Sequence, residues 1–224
     1  MLQNIVVFTG AGISAESGLG TFRDSGGLWE QFKIEDVATP EAFERNPELV
    51  LDFYNLRRKQ LLESEPNAAH ISLNKLSEKY KLHIITQNID DLHERSGNKK
   101  VLHLHGKLTE AKSSIDDKIY SINGAELGMG DLCEKGGQLR PNVVWFGEAV
   151  PKMIDAISIT KKADVFIVIG TSLNVYPAAS LLNYTNNANR IILIDPKAEE
   201  ERSIEVIKEK ATIAVPKLVE ELLQ

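Results

Sequence analysis

With 224 residues, 42% of them hydrophobic and 26% charged, the chain is long enough for one sizeable core plus a lesser lobe, and its composition is that of an ordinary globular protein. Its net charge of −6 comes without any lysine/arginine block, which argues against nucleic acid as a partner, and no apolar run approaches a membrane span. A single cysteine, Cys133, excludes an internal disulfide and a cysteine-rich zinc site.

The chain opens with an apolar run, Ile5 to Phe8, ending in Thr9-Gly10-Ala11-Gly12-Ile13-Ser14-Ala15. A strand followed by such a turn brings backbone N–H groups toward a pyrophosphate at a helix N-terminus. Gly10 and Gly12 suit positions where a β-carbon would obstruct the turn or the phosphate. A lone G-x-G-x-x-A also occurs in ordinary glycine turns, but its place directly after a strand favours a nucleotide. Because the turn begins at residue 10, no signal or transit peptide fits ahead of it, and a reducing, cytoplasmic location is expected. The segment after the turn lacks the clean helix, second strand and ribose-binding acid of an ordinary dinucleotide-binding unit. Residues 17–27 hold too much glycine and serine for a stable helix and carry Phe22 and Arg23, so they read as a long loop over a cofactor.

Residues 34–40 form a short connection, and 41–65 read as helical with a break near Asn46-Pro47. Leu49, Phe53 and Leu56 make one apolar stripe there; Val50, Tyr54, Arg57 and Leu61 make a second, in which the cation is the odd member. A helix over 71–80, a buried strand over 82–86 and a short helix stopped by Gly97 come next. Residues 101–105 are a brief strand closing on Gly106, after which periodicity fails from Lys107 to Arg140, as in a lesser lobe. Residues 143–146 are apolar, 152–162 helical, and 165–169 and 191–194 buried strands ending in Gly170-Thr171-Ser172 and Asp195-Pro196. Residues 212–215 read as a last strand and 216–223 as a helix opened by proline. Strands alternating with helices give an α/β fold, a parallel sheet covered on both faces. Ligands on such sheets lie beyond the carboxyl ends of the strands, where Gly10–Ser14, Gln87–Asp90, Gly170–Ser172 and Asp195 would converge.

In chain order, GAGISAESG (10–18), TFR (21–23), TQNID (86–90), HLHG (103–106), VVWFGE (143–148) and GTSL (170–173) resemble the motifs of the sirtuins, NAD-dependent protein deacylases. The resemblance implies a Rossmann-like large lobe of approximately 1–25, 81–106 and 143–224, and a small lobe formed by insertions at 26–80 and 107–142. NAD and the acylated lysine of a protein or peptide would enter the cleft from opposite sides. His105 would be the general base, while Gln87, Asn88 and Asp90, with Ile89 among them, would hold the nicotinamide ribose and carboxamide. Phe22 and Arg23 would lie beside the nicotinamide and phosphates. Gly10, Ala11, Gly12, Ser14, Ala15, Glu16 and Trp29 join the cofactor set, Gly170, Thr171, Ser172 and Asp195 serve the adenosine half, and Ala211 makes a backbone contact to adenine. Val144, Phe146 and Gly147 would belong to the strand that pairs with the substrate peptide.

The implied reaction has the acyl-lysine carbonyl oxygen attack C1′ of the nicotinamide ribose, after which a base activates a ribose hydroxyl and 2′-O-acyl-ADP-ribose forms. Histidine, with an ordinary pKa of about 6.5, suits that task. His103 and His105 compete for it, and only His105 abuts Gly106, a glycine that would admit a ligand closely; His70, His83 and His93 are assigned to packing or surface. Asn88 and Asp90 also suit helix caps.

Tyr54 and Arg57 stand three apart on one helix face. They resemble the pair that, in one sirtuin branch (class III), binds the carboxylate of succinyl, malonyl or glutaryl lysine, with Ala38 matching the small residue that keeps the pocket wide. An arginine fork and a tyrosine donor on one carboxylate contribute roughly 1.5–3 kcal/mol net. Acetyl would leave the guanidinium without a partner, so acidic acyl groups should be preferred. Most sirtuins hold the small lobe with four zinc-binding cysteines. The matching segments here, 111–115 and 131–137, hold Cys133 alone, so no zinc is expected, and packing of Ile115, Ile119, Tyr120, Ile122 and Leu127 would replace it. Leu193-Ile194-Asp195 stands where the family commonly shows Asn-Leu-Glu, which leaves the ribose contact of Asp195 open. ADP-ribosyl transfer to a protein, NAD or ADP-ribose sensing and hydride transfer are alternatives. The intact Tyr54/Arg57 pair, the intact His105 and Asn88, and the missing ribose acid argue against them in turn.

Overall fold

Short runs rich in valine and isoleucine have two apolar faces to bury, and a parallel sheet between helices buries both. The computed structural model describes residues 2–20, 31–171, 173, 175–200 and 203–224; Phe22, Arg23, Trp29 and Ser172 therefore lie outside the described residues. The strands are β1 (Asn4–Thr9), β2 (Lys81–Thr86), β3 (Val101–His103), β4 (Gly106–Ser113), β5 (Ile119–Ser121), β6 (Leu139–Val143), β7 (Val165–Ile169), β8 (Arg190–Ile194) and β9 (Glu205–Ile207). Six of them pair in parallel in the order β3-β2-β1-β7-β8-β9, and β5-β4-β6 form a separate antiparallel sheet. The fold is α/β, as the alternation of strands and helices implied, and its Rossmann-like sheet with a smaller lobe is what the resemblance implied.

The helices are α1 (Ile34–Val37), α2 (Pro40–Arg45), α3 (Pro47–Glu63), α4 (Ala68–Lys75), α5 (Leu92–Arg95), α6 (Met153–Thr160) and α7 (Ala211–Leu223). The break at Asn46-Pro47 has a local cause. Thr39 Oγ1 caps α2 by accepting from Ala42 N at 3.1 Å, Asn46 Oδ1 caps α3 by accepting from Leu49 N at 3.2 Å, and each cap is followed by a proline. One face of the sheet, through Val7, Ile84, Ile167 and Ile192, packs on Leu73 of α4 and Val215 and Leu218 of α7. The other, through Phe8, Ile85, Phe166 and Val168, packs on Ala156 of α6 and on Leu181. Each such side chain, fully buried, contributes about 1.5–3 kcal/mol. A further cluster joins Val37, Val50, Phe53 and Tyr54 to Leu108, Val143 and Trp145, and so ties α1–α3 to the small sheet.

Several expectations are corrected. Residues 107–140, read as aperiodic, hold β4, β5 and the start of β6. Residues 212–215 are the first turns of α7, not a strand; Pro216 lies inside that helix, and the last strand is β9, which was not expected. Residues 104–105 lie past the end of β3. Leu56, Ile115 and Ile119 are exposed, so the second and third do not hold the small lobe, whereas Leu127 is buried with Ile122 against it.

Candidate active site

Strand register decides what meets at the sheet edge. Thr9 pairs with Thr86 and Ile169, Thr86 with His103, and Ile169 with Ile194, so these residues form one row across the sheet. One step further lie Gly10, Gln87, Gly170 and Asp195, at the carboxyl ends of their strands. Strand order reverses between β1 and β7, the usual place for a ligand crevice. A cavity of about 750 Å³ opens there, lined by Ala11, Gly12, Ser14, Ala15, Glu16, Gln87, Asn88, Ile89, Asp90, His105, Gly170, Thr171, Asp195 and Ala211. Ala38, Tyr54, Arg57, Val144, Phe146 and Gly147 line it as well.

The glycines serve the edge itself. Gly10 N donates to Ile169 O at 3.0 Å and Gly12 N to Gly170 O at 2.8 Å, so these two amides are committed to the end of β7 and not to a phosphate. A β-carbon at Gly12 would lie 2.6 Å from Gly170 Cα, and Gly170 adopts φ +62° with its own β-carbon position 2.4 Å from Ile13 N. The turn continues as two single 3-10 turns, Ala11–Ile13 and Ala15–Ser17. Gly106 is corrected too: a β-carbon there would meet Asn142 O of β6 at 2.0 Å, so this glycine admits the small sheet and not a ligand.

Ser14 is the hub of the polar side. Its hydroxyl donates to Asp90 Oδ2 at 3.0 Å and accepts from Asn88 Nδ2 at 3.1 Å; His70 Nε2 lies 3.4 Å away. His70 Nδ1 accepts from Asn67 N, which places the ring proton on Nε2 and fills both acceptor positions of the serine. Burial drives the His70 pKa down to about 4, and that of Asp90 is raised, again chiefly by burial. Asp90 Oδ1 also accepts from Leu92 N, so this residue is a helix-side cap as well as a site residue. His70 was expected only to pack; its contact with Ser14 has no signal in the sequence other than its own capping box with Asn67.

His105 Nδ1 donates to Gln87 O at 3.0 Å, which leaves Nε2 as the ring's lone pair, and burial pulls its pKa below the ordinary histidine value. His103 differs: Nδ1 meets Asn88 O and Nε2 meets Glu94 Oε1, each at 2.9 Å, so both nitrogens are engaged. Gln87 Nε2 is buried without a partner among the described residues, while its Oε1 accepts from Thr171 Oγ1 at 3.4 Å. An orphaned amide in a cavity of this size at the switch point fits a dinucleotide that brings its own acceptors. Glu16, by contrast, is occupied by Thr212 and Lys210, and Asp195 Oδ1 accepts from Lys197 N.

Tyr54 is buried, its hydroxyl accepts from Trp145 Nε1 at 3.0 Å, and burial pushes its pKa to about 12. Burial lowers the Arg57 pKa, with Tyr54 and Asp90 acting against it. Beyond Val143 the chain leaves strand geometry. Val144 N donates to His105 O and Phe146 N to Ala38 O, so 144–148 brace the cavity wall as an irregular segment, where a strand was expected.

The model of the Sir2 family matches residues 10–177, three-quarters of the chain and all of the glycine, histidine and Gln87–Asp90 segments that meet at this sheet edge. The chain belongs to the Sir2 family. Relatives include proteins named NAD-dependent protein deacylase from Bacteroides thetaiotaomicron, 49% identical over 99% of both chains, and from Helicobacter pylori, 48% identical over 100% of this chain and 97% of the relative. Among solved structures, a Sir2 homologue in complex with NAD is 37% identical, covers 99% of this chain and 90% of its own, and superposes with a TM-score of 0.90. A Sir2–p53 peptide–NAD+ complex is 31% identical over 98% of this Sir2 chain and 93% of its own, with a TM-score of 0.82. Among the described residues, no three His, Cys, Asp or Glu side chains converge as a metal group, and no helix is long and apolar enough to cross a membrane.

Proposed function

We propose that this Sir2 protein is an NAD-dependent protein-lysine deacylase that prefers acyl groups ending in a carboxylate. NAD, when bound, supplies the glycosidic bond whose cleavage drives acyl transfer to ADP-ribose. Gln87, Asn88 and Asp90 orient the nicotinamide end, with Ser14 fixing the latter two. His105 Nε2 accepts the proton of a ribose hydroxyl, and its Nδ1–H bond to Gln87 O keeps that lone pair on the correct nitrogen. The large lobe takes approximately 1–25, 81–106 and 143–224 and the small lobe 26–80 and 107–142, with α4 joined to the large lobe through its packing on α7.

The acyl preference rests on one observation: a guanidinium and a phenol, Arg57 and Tyr54, share the wall of a largely apolar pocket next to Ala38. Burial disfavours the charged guanidinium, and an entering carboxylate offsets that penalty where an acetyl methyl does not. In competition assays by mass spectrometry, Arg57→Ala should lose desuccinylation by at least tenfold while keeping weak deacetylation. Equal loss of both activities would make Arg57 structural and remove the acidic preference.

A further inference from the structure

Trp145 sits inside the VVWFGE segment between residues tied to the peptide and the acyl chain, and its indole contacts the tyrosine of the Tyr54/Arg57 pair. We propose that Trp145 is a positioning residue for acyl specificity: its N–H holds the Tyr54 hydroxyl with the proton turned toward the acyl carboxylate. This rests on the reading of Tyr54 and Arg57 as the carboxylate site.

The polarity of the bond is fixed by chemistry. An indole nitrogen only donates, so at 3.0 Å the Tyr54 oxygen is the acceptor and its own proton points elsewhere. Tyr54 is 1% exposed, and no second bond of its hydroxyl is described. A carboxylate only accepts. A hydroxyl free to turn could present a lone pair to it and repel it; here that orientation would set the phenolic hydrogen against the indole hydrogen. The tryptophan thus favours the one orientation that welcomes an anion.

The indole is itself held on several sides. The Arg140 guanidinium lies 3.6 Å from its ring centroid, and the Phe43 ring lies 5.4 Å away. Both Glu148 oxygens take Arg140 Nη2 at 2.8 Å, and one of them takes Trp145 N at 2.7 Å. Arg140 and Glu148 are half-buried or better, where such a pair holds geometry better than at an open surface. The donor is therefore placed by a clamp of Arg140, Glu148 and Phe43.

The test is steady-state kinetics of the full chain on one peptide carrying succinyl- or acetyl-lysine, for the parent, Trp145→Phe, Tyr54→Phe and the double variant. Loss of one neutral hydrogen bond predicts that Trp145→Phe lowers the succinyl-to-acetyl ratio of kcat/KM about fivefold. The change should appear in KM for the succinyl peptide. In the Tyr54→Phe background the same substitution should move the ratio less than twofold, an outcome that a merely structural tryptophan would not give. An unchanged ratio in the parent background, or an equal drop in the Tyr54→Phe background, overturns the assignment while the acidic preference stands. A parent enzyme that does not prefer succinyl overturns the preference and the assignment with it. Should Trp145→Phe fail to fold, benzothienylalanine placed at position 145, which exchanges the N–H for sulfur in a ring of the same size, makes the same comparison.

Discussion

His105 and His103 stand two residues apart, and hydrogen-bond geometry assigns them different tasks. His103 spends both nitrogens on oxygen acceptors, Asn88 O and Glu94 Oε1, and so grips the loop that carries Asn88. His105 spends only Nδ1, and its Nε2 is left for a substrate proton. Burial lowers the His105 pKa from the ordinary 6.5, with the bond to Gln87 O acting in the opposite direction. A general base works in its neutral form, so a lowered pKa widens the active range toward acid. We expect the acid limb of kcat/KM to fall off below pH 6.5, and His105→Ala to abolish deacylation while exchange of labelled nicotinamide survives. A limb centred above pH 7, or an active alanine variant, would remove His105 from the base role. The sequence separated the two histidines by Gly106, but Gly106 marks where β6 approaches, not where a ligand does; what separates them in the fold is their hydrogen-bond partners.

At the scale of elements, the question is what holds the small lobe. Its outer turns are laced by exposed ion pairs, Lys118–Glu134 and Lys135–Asp116, and Cys133 Sγ accepts from Ser113 Oγ and Gly137 N, each at 3.3 Å. Exposed pairs contribute little in salt. The buried attachment is elsewhere, on α3. Arg58, 1% exposed, donates to Leu108 O, Ala125 O and Asn55 Oδ1. Asn55 also bonds both the N–H and the C=O of Leu127. Asn55→Ala would leave both backbone groups of Leu127 without their partner and take from Arg58 Nη1 one of its two acceptors, Ala125 O remaining as the other. At about 1–3 kcal/mol for each group left unsatisfied, after relaxation we expect roughly 3 kcal/mol of destabilisation. That is a Tm lower by roughly 6–12 °C, measurable by calorimetry. Glu134→Gln should leave Tm within error, and the reverse ranking would place the attachment in the surface lattice. None of this was readable in advance, because helical spacing singled out Arg57 as the odd cation and gave no sign that its neighbour Arg58 was the buried one. Strands β1, β7 and β8 of the large sheet were legible because each carries a continuous apolar run, whereas β9, three residues headed by Glu205, was not. Strands β4–β6 were not, because many of their residues are half-exposed and mix charge with apolar side chains. The error over 212–215 arose from β-branched residues ahead of a proline. Ala211, Ala214, Val215, Leu218 and Val219 nonetheless carry a helical stripe, and Pro216, with no N–H to give to the carbonyl of Thr212, is accommodated inside α7.

Across the whole molecule, the polar network under the site couples stability to pH. His70 and His93 lie 4.9 Å apart between ring centroids, both buried. Burial lowers the His70 pKa to about 4, and it takes the His93 pKa well below the usual value, with His70 itself adding to that shift. The folded chain therefore keeps His70 neutral in a range where the unfolded chain, at 6.5, binds a proton. Above pH 6.5 neither state is protonated there and full stability is present. As pH falls from 6.5 to about 4 the unfolded state gains the proton and the folded state does not, so stability is lost by up to about 3 kcal/mol from this residue alone. Carboxylates held low act later. Burial would raise Glu94, but its bonds to His103 and Lys107 outweigh that and bring it to about 2, so its contribution is lost only below the ordinary carboxylate range. Urea midpoints should thus hold between pH 7.5 and 6.5 and fall from there to pH 4.5, and in His70→Gln the slope over pH 6.5–4.5 should lessen by close to one proton's worth, about 1.4 kcal/mol per pH unit. An unaltered slope would mean that His70 binds a proton in the folded chain. That proton could sit only where Asn67 N–H now points, so the capping box of α4 would have to open, while the Nε2–H that faces Ser14 stays in place.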